Sequence, residues 1–245
     1  MSGSDGSETP RPAHALEAFA RTVDTGSPSS SLPVLIGRAC ADVLGADGGA
    51  LTLVPSRTGW FTLGVTDAVA QRLGDLEELL GEGPAHEAFH SGRVAQVHVG
   101  GSPGGPFPLF AELAREVGEC TVHALPLRSP HGRLGVLCLH QRGAGTLAGT
   151  TSEQQQVADA AASRLLQGIE EGALPASLWS ARSRIDQATG MVVAQLGLAA
   201  RDALALLRAR AYACSQRLED VADDVLTGRV DLRTDAIPGD GQAAW

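Results

Sequence analysis

At 245 residues the chain is long enough for one large domain or two of ordinary size. Apolar residues make up 43% and charged residues 19%, the proportions of a folded chain, and no stretch approaches the ~20 continuous apolar residues that span a bilayer. The net charge of −9 excludes indiscriminate binding to nucleic acid, while the absence of lysine leaves all 19 fixed positive side chains as arginine, suited to bidentate phosphate or base-edge contacts.

Residues 1–30 are rich in Ser, Gly, Pro and Thr, lack the apolar core of a secretory signal, and are expected to form a disordered leader. The protein is accordingly expected in the cytoplasm, with no membrane partner. Over residues 31–45, Leu35, Ala39, Val43 and Leu44 recur at helical spacing, with Ser31 as the N-cap ahead of Pro33. Two β-like runs, 50–54 and 60–65, flank a turn-forming span and predict a hairpin. Helical spacing returns through Val69, Leu73, Leu76 and Leu80, and Gly81-Glu82-Gly83-Pro84 breaks it before a short helix through Phe89. A strand is predicted at 94–99, then a Gly/Pro loop, a helix over 109–117, and two strong strands at 120–127 and 134–140 joined through Ser129-Pro130-His131-Gly132. Short turns between successive strands predict an antiparallel α+β sheet flanked by helices rather than a parallel one.

From Ser152 onward the pattern is all helical. Thr151 or Ser152 is expected to cap a helix to about Glu171, with an interruption at Gly172 and Pro175. In the next helix Leu178, Ile185 and Val192 recur every seven residues and alternate with Ala181 and Ala188, the signature of an a/d seam through which two copies would dimerise, unless the chain buries the stripe itself. Helical runs at 200–214 and 218–226 complete a three-helix unit.

The four cysteines are far apart inside apolar runs and read as buried free thiols. His86-Glu87-Ala88-Phe89-His90 matches the HExxH pattern of zinc hydrolases, but Pro84 and Gly92 confine the helix to about two turns and no third ligand follows at a suitable spacing, so no metal is expected. His123 and His140, in the two strong strands, could face a sensory cavity or water, with haem ligation or pH sensing as alternatives, and read first as satisfied structural histidines because nothing nearby in sequence completes a cofactor signature. No phosphate-binding glycine loop, nucleophile elbow or paired acid and base stands out, and the chain is not expected to be an enzyme. Charge is distributed unevenly: residues 1–176 carry 11 arginines against 19 carboxylates, residues 177–217 carry 6 against 2, and residues 218–245 carry 2 against 7. The one basic segment, with Arg182, Arg184, Gln187, Thr189, Arg208, Arg210 and Arg217, is what phosphate and base recognition requires. A DNA-binding three-helix unit and a protein-interaction module remain alternatives.

The run Arg184-Ile185-Asp186-Gln187-Ala188-Thr189-Gly190-Met191-Val192, followed by Gln195-Leu196-Gly197, Ala203-Leu204, Leu207-Arg208, Ala211 and Leu218-Glu219-Asp220-Val221-Ala222, resembles the ANTAR domain of transcription antiterminators. Upstream, Gly81-Glu82-Gly83-Pro84 with Ala88-Phe89, Phe110-Ala111-Glu112-Leu113-Ala114, Ala124-Leu125-Pro126-Leu127-Arg128 and Leu134-Gly135-Val136-Leu137 resemble a GAF domain of actinobacterial GAF-ANTAR proteins. The resemblance implies a leader at 1–30, a GAF-like sensory domain at 31–151, a connecting helix at 152–176, an all-α ANTAR-like RNA-binding domain at 177–233 and a flexible tail at 234–245. It implies RNA hairpins as partners and control by a small molecule or redox signal. Arg184, Gln187, Thr189, Gly190 and Arg208 are the expected RNA contacts, with Arg210 and Arg217 as further phosphate contacts. Some family members carry Lys where this chain has Thr189, so a phosphate contact through that lysine does not transfer. The NKFDE signature of cyclic-nucleotide binding is not evident, and the resemblance leaves the sensory ligand unidentified.

Overall fold

Hairpins with short turns can join only antiparallel neighbours, and two of the strand connections in this chain are of this kind. The computed structural model describes residues 12–27, 29–56, 59–100, 105–130, 132–174 and 176–233. Strands β1 (Gly48–Ser56), β2 (Gly59–Val65), β3 (Ala95–Val99), β4 (Cys120–Ser129) and β5 (Gly132–Arg142) form one sheet in the order β2-β1-β5-β4-β3, every neighbouring pair antiparallel. Opposite residues in register include Ala124 and Cys138 of β4 and β5, and Ala50 and Cys138 of β1 and β5. This is the antiparallel α+β sheet expected from the sequence.

Period-two alternation sends the two halves of each strand's side chains to opposite layers. Leu125, Leu127, Leu137 and Leu139 meet α2 (Leu32–Leu44) and α6 (Thr151–Glu170) through Ile36, Cys40, Ala161 and Leu165. On the other face, Ala124 and Val136 pack with Ala85 and Ala88 of α4 (Pro84–Ser91). Beside them α3 (Ala68–Leu80) and α5 (Pro108–Leu113, continued by a 3-10 turn at Ala114–Val117) enclose Leu73, Leu76, Val122 and Phe110. Both faces are therefore filled by the chain's own side chains.

Two expectations are corrected within this domain. The leader is not disordered throughout: α1 (Pro12–Asp24) is a helix, because Phe19 and Val23, one turn apart, bury themselves beside α2 and α6 at 4% and 6% exposure. Residues 1–11 lie outside the described residues. The cap of α6 is Thr150, one residue earlier than expected, because only that position lets a hydroxyl accept from Glu153 N–H while Glu153 accepts from Thr150 N–H in a reciprocal capping box.

Beyond α6, the helices α7 (Ala176–Leu196), α8 (Ala200–Ala213) and α9 (Leu218–Leu226) enclose a separate core of Ile185, Ala188, Val192, Leu207, Val221 and Val225 among others. This corrects the seam. Ile185, Ala188 and Val192 are consumed by packing against α8 and α9, since a unit this small needs every apolar position of its longest helix for its own core. Leu178 and Ala181 belong to the first turns of α7, outside the described side chains, and the tail at 234–245 lies outside the described residues. All four cysteines are free thiols. Among the described residues no single helix is long and apolar enough to cross a membrane.

Candidate nucleic-acid interface

Spacing of three to four residues puts side chains on one face of a helix, and Arg184, Gln187 and Gly190 follow one another at that interval along α7. All three are exposed. The Arg184 guanidinium reaches across to Asp223 of α9, 3.3 Å away, and Gln187 Nε2 donates to Ser183 Oγ at 3.1 Å. Both contacts are solvent-exposed and of the kind that contributes less than about 1 kcal/mol, so both groups can exchange them for a ligand. At Gly190 an added Cβ would meet nothing within 4 Å, which leaves the helix surface open to close approach from outside the chain.

Thr189 is placed differently. Its Oγ1 donates to the Ile185 carbonyl at 2.7 Å, one turn back in the same helix, so its hydroxyl hydrogen is already committed. Arg208 and Arg210 are half-buried on α8, and Arg217 precedes α9 as its N-cap residue. Arg217 pairs with Asp75 of α3 at 3.5 Å and with Glu219 at 3.1 Å. Arg208 also turns toward the first domain: a Cβ built on Gly81, the residue that ends α3, would lie 3.3 Å from its terminal nitrogen. The predicted set thus divides between an open face on α7 and a face of α8 and α9 that α3 covers. Leu79 of α3 completes that cover by packing against the second core.

Burial raises the Asp75 carboxyl above its ordinary value, and the Arg217 charge works against that shift. A cleft of about 290 Å³ opens beside this pair, lined by Phe61, Gln71, Asp75, Ile185 and Arg217. Acidic α9 also changes the balance read from the sequence. Counted over residues 177–233, eight arginines stand against seven carboxylates, and Asp223 of α9 comes within 3.3 Å of Arg184. What remains is a patterned surface rather than a strongly positive one.

Tyr212 escaped the sequence reading. It is 50% exposed on α8, one turn beyond Arg208, and is the one tyrosine in the chain. An exposed aromatic ring within the one basic segment was the available signal, because such rings stack on unpaired bases.

The histidine pattern at 86–90 serves packing. His86 stacks on Trp60 with ring centroids 3.8 Å apart and its Nε2 lies 3.1 Å from the Glu77 carbonyl, while His90 Nδ1 lies 2.7 Å from the His86 carbonyl. Among the described residues no three His, Cys, Asp or Glu side chains gather as a metal site. His140 pairs with Asp67 at 3.0 Å, and Asp67 caps α3 by accepting from Ala70 N–H. Burial works to raise the Asp67 carboxyl, but hydrogen bonds from Thr66, Ala70 and His140 hold it below its ordinary value. His123 lines a cavity, as the inward reading of that strand position requires.

The GAF domain family model matches residues 35–169 and the ANTAR domain family model matches residues 179–226. Among solved structures the chain is similar to the GAF domain of a phosphoenolpyruvate-protein phosphotransferase from Coxiella burnetii, at 16% identity over 69% of this chain and 100% of that one, with a TM-score of 0.47. It is similar to the corresponding Acinetobacter domain at 12% identity, 70% and 99% coverage and a TM-score of 0.44. A further similarity is to an RNA-binding Light-Oxygen-Voltage receptor, at 18% identity, 75% and 47% coverage and a TM-score of 0.22. No curated protein matches the chain.

Proposed function

The chain belongs to the GAF domain family, its GAF domain followed by an ANTAR domain as in GAF-ANTAR regulators, and from this we propose that it is a signal-responsive antitermination regulator that binds hairpin RNA through its C-terminal helices. ANTAR is an RNA-binding antitermination domain type and GAF a sensory one, and both are non-catalytic types. The finer reading has the first domain controlling access to the RNA-binding surface of the second.

The observation that carries this control is the position of α3, which covers part of the basic surface. Arg217 is paired with Asp75, Arg208 lies against Gly81, and Leu79 sits on the second core. These contacts are small and partly exposed, so the junction is one that a modest differential binding energy in the first domain can open. The α7 face carrying Arg184, Gln187 and Gly190, with the exposed Tyr212 of α8, supplies the standing RNA contact, and opening adds Arg208 and Arg217. The proposal includes a homodimer, which would raise affinity for paired hairpins through effective concentration, with its contact away from Ile185, Ala188 and Val192.

Hairpin-RNA binding at several salt concentrations tests this, with duplex DNA of equal length as competitor. Arg184→Ala and Gln187→Ala should each weaken RNA binding, Arg184→Ala also reducing the salt slope by about one. Asp75→Asn should tighten RNA binding by releasing Arg217. Parental affinity in all three variants, or equal affinity for duplex DNA, overturns the reading. Sedimentation as a concentration-independent monomer overturns the dimer.

A further inference from the structure

The tip of the β4–β5 hairpin and the end of α4 bring three arginines together. Arg128 and Arg133 stand directly opposite one another in the β4–β5 register, and Arg93 follows Gly92, the residue that ends α4. All three are exposed. Arg128 Nη2 donates to the Gly92 carbonyl at 2.7 Å, and a Cβ built on Gly92 would fall 2.8 Å from Arg133 Nη1, so both guanidinium groups lie against the same glycine. Arg133 also lies over the Phe89 ring of α4, 5.7 Å from its centroid. Arg93 borders one hollow together with Arg128.

Like charges directly opposite one another destabilise a sheet, and the fold does not offset them here. Among the described residues none of the three pairs with a carboxylate, whereas Arg72, Arg115 and Arg164 of the same domain each do. Asp159 of α6 borders the hollow with Arg93 and Arg128 but accepts from Gln155 Nε2 at 2.8 Å, and Glu87 of α4 is exposed. A guanidinium carries five N–H donors, so one backbone bond on Arg128 and one ring contact on Arg133 leave most of them to water.

The surroundings decide what this patch fits. Residues 1–176 carry 11 arginines against 19 carboxylates, so the first domain as a whole repels phosphate, and the three arginines make an island on which a polyanion can lie. Helix α4 joins that island to the C-terminal helices. It is eight residues long, about 12 Å, with the arginines at its Gly92 end. At its other end Arg208 of α8 lies against Gly81, and burial together with the Arg208 charge pushes His86 down to about 4. A polyanion held by α7 and α8 therefore finds positive charge at both ends of α4. Forked guanidinium groups suit the paired oxygens of a phosphodiester.

We propose that Arg93, Arg128 and Arg133 form a second RNA-contact surface, on the first domain, which holds the phosphate backbone of the hairpin stem while the C-terminal helices take its loop. Contacts of this kind position the RNA and read no sequence. The proposal rests on the RNA-binding reading above and adds to it a direct hand for the first domain in binding.

Hairpin-RNA binding by the full chain, measured over a range of salt, tests it with the triple variant Arg93→Gln, Arg128→Gln, Arg133→Gln. Each lost phosphate contact reduces the salt slope by about one, so the triple variant should lose about two to three and bind at least about tenfold more weakly at low salt. Its order of preference among loop sequences should stay that of the parent. Shortening the stem until it no longer reaches the patch should bring parent and triple variant to equal affinity. The urea midpoint should match or exceed the parent's, because the opposed charges of the hairpin are gone. Arg93→Gln alone, outside the hairpin, should reduce the slope by about one. A folded triple variant with parental slope and affinity, while Arg184→Ala weakens binding, overturns this inference and leaves the RNA reading standing. Parental RNA binding with lost binding to phosphatidylserine vesicles assigns the patch to a lipid surface and equally overturns it. If the parent binds no hairpin RNA, both readings fall.

Discussion

Glu77, at 4% exposure, lies beneath the turn between α3 and α4, where its Oε2 accepts from Ala85 N–H at 2.6 Å. Gly83 in that turn has φ of 142°, and a Cβ there would fall 2.7 Å from the Glu77 side chain, so the backbone fits over the carboxyl only with glycine. Burial pushes the carboxyl up to about 8 from an ordinary 4.5, so between these values the folded state alone holds the proton and stability declines as pH rises. Burial pushes His86 down to about 4 from 6.5, which gives the opposite slope between those values. The two offset one another below about pH 6.5, and Glu77 acts alone from there to about pH 8. Unfolding stability in urea should therefore fall by about 1–2 kcal/mol over that upper window, and Glu77→Gln, which keeps an acceptor for Ala85, should abolish the fall. A parental profile that is flat there would contradict this account. At Gly190, Ala enters open space in an exposed helix interior and should stabilise the protein by about 0.5–1 kcal/mol. The added methyl should simultaneously weaken hairpin binding; unchanged affinity would remove Gly190 from the proposed RNA surface.

At the scale of elements, α1 shows how composition misleads. A leader rich in small and turn-forming residues reads as disordered, yet Leu16, Phe19 and Val23 recur at helical spacing, and the finished domain offers α2 and α6 as a surface for them. Phe19→Ala should cost about 3 kcal/mol, read as a lower midpoint in urea with the native secondary structure retained; a loss below about 0.5 kcal/mol would mean that α1 contributes little to the domain. The α6 cap was legible in outline. Thr150 and Glu153 stand at the spacing of a capping box, but three consecutive hydroxyl residues compete for the cap, and only backbone geometry selects among them.

Among the described residues the two domains meet through α3, and each encloses its own core. Because Ile185 is 3% exposed inside the second core, Ile185→Asp places an unpaired charge there and should unfold the three C-terminal helices while the first domain keeps its fold. Hydrogen exchange resolves this: protection should vanish over 183–226 and persist in the sheet. Retained protection in α7, α8 and α9 together with loss of self-association would instead restore the seam reading.

Periodicity, turn residues and spaced motifs sufficed for the helices, the antiparallel hairpins, the division into two units and the placing of Arg184, Gln187 and Gly190 on one face of α7, because each depends on residues close in sequence. The partners of Arg208 and Arg217 and the spending of Ile185, Ala188 and Val192 on an internal core were decided by tertiary structure. The same holds for Glu77, whose neighbour Ala85 is eight residues away across a glycine turn, and for the patch that unites Arg93, Arg128 and Arg133 around Gly92. An amphipathic stripe specifies that a face must be covered and is silent about what covers it. Charge behaves likewise, since a count along the chain omits the carboxylates that folding brings alongside.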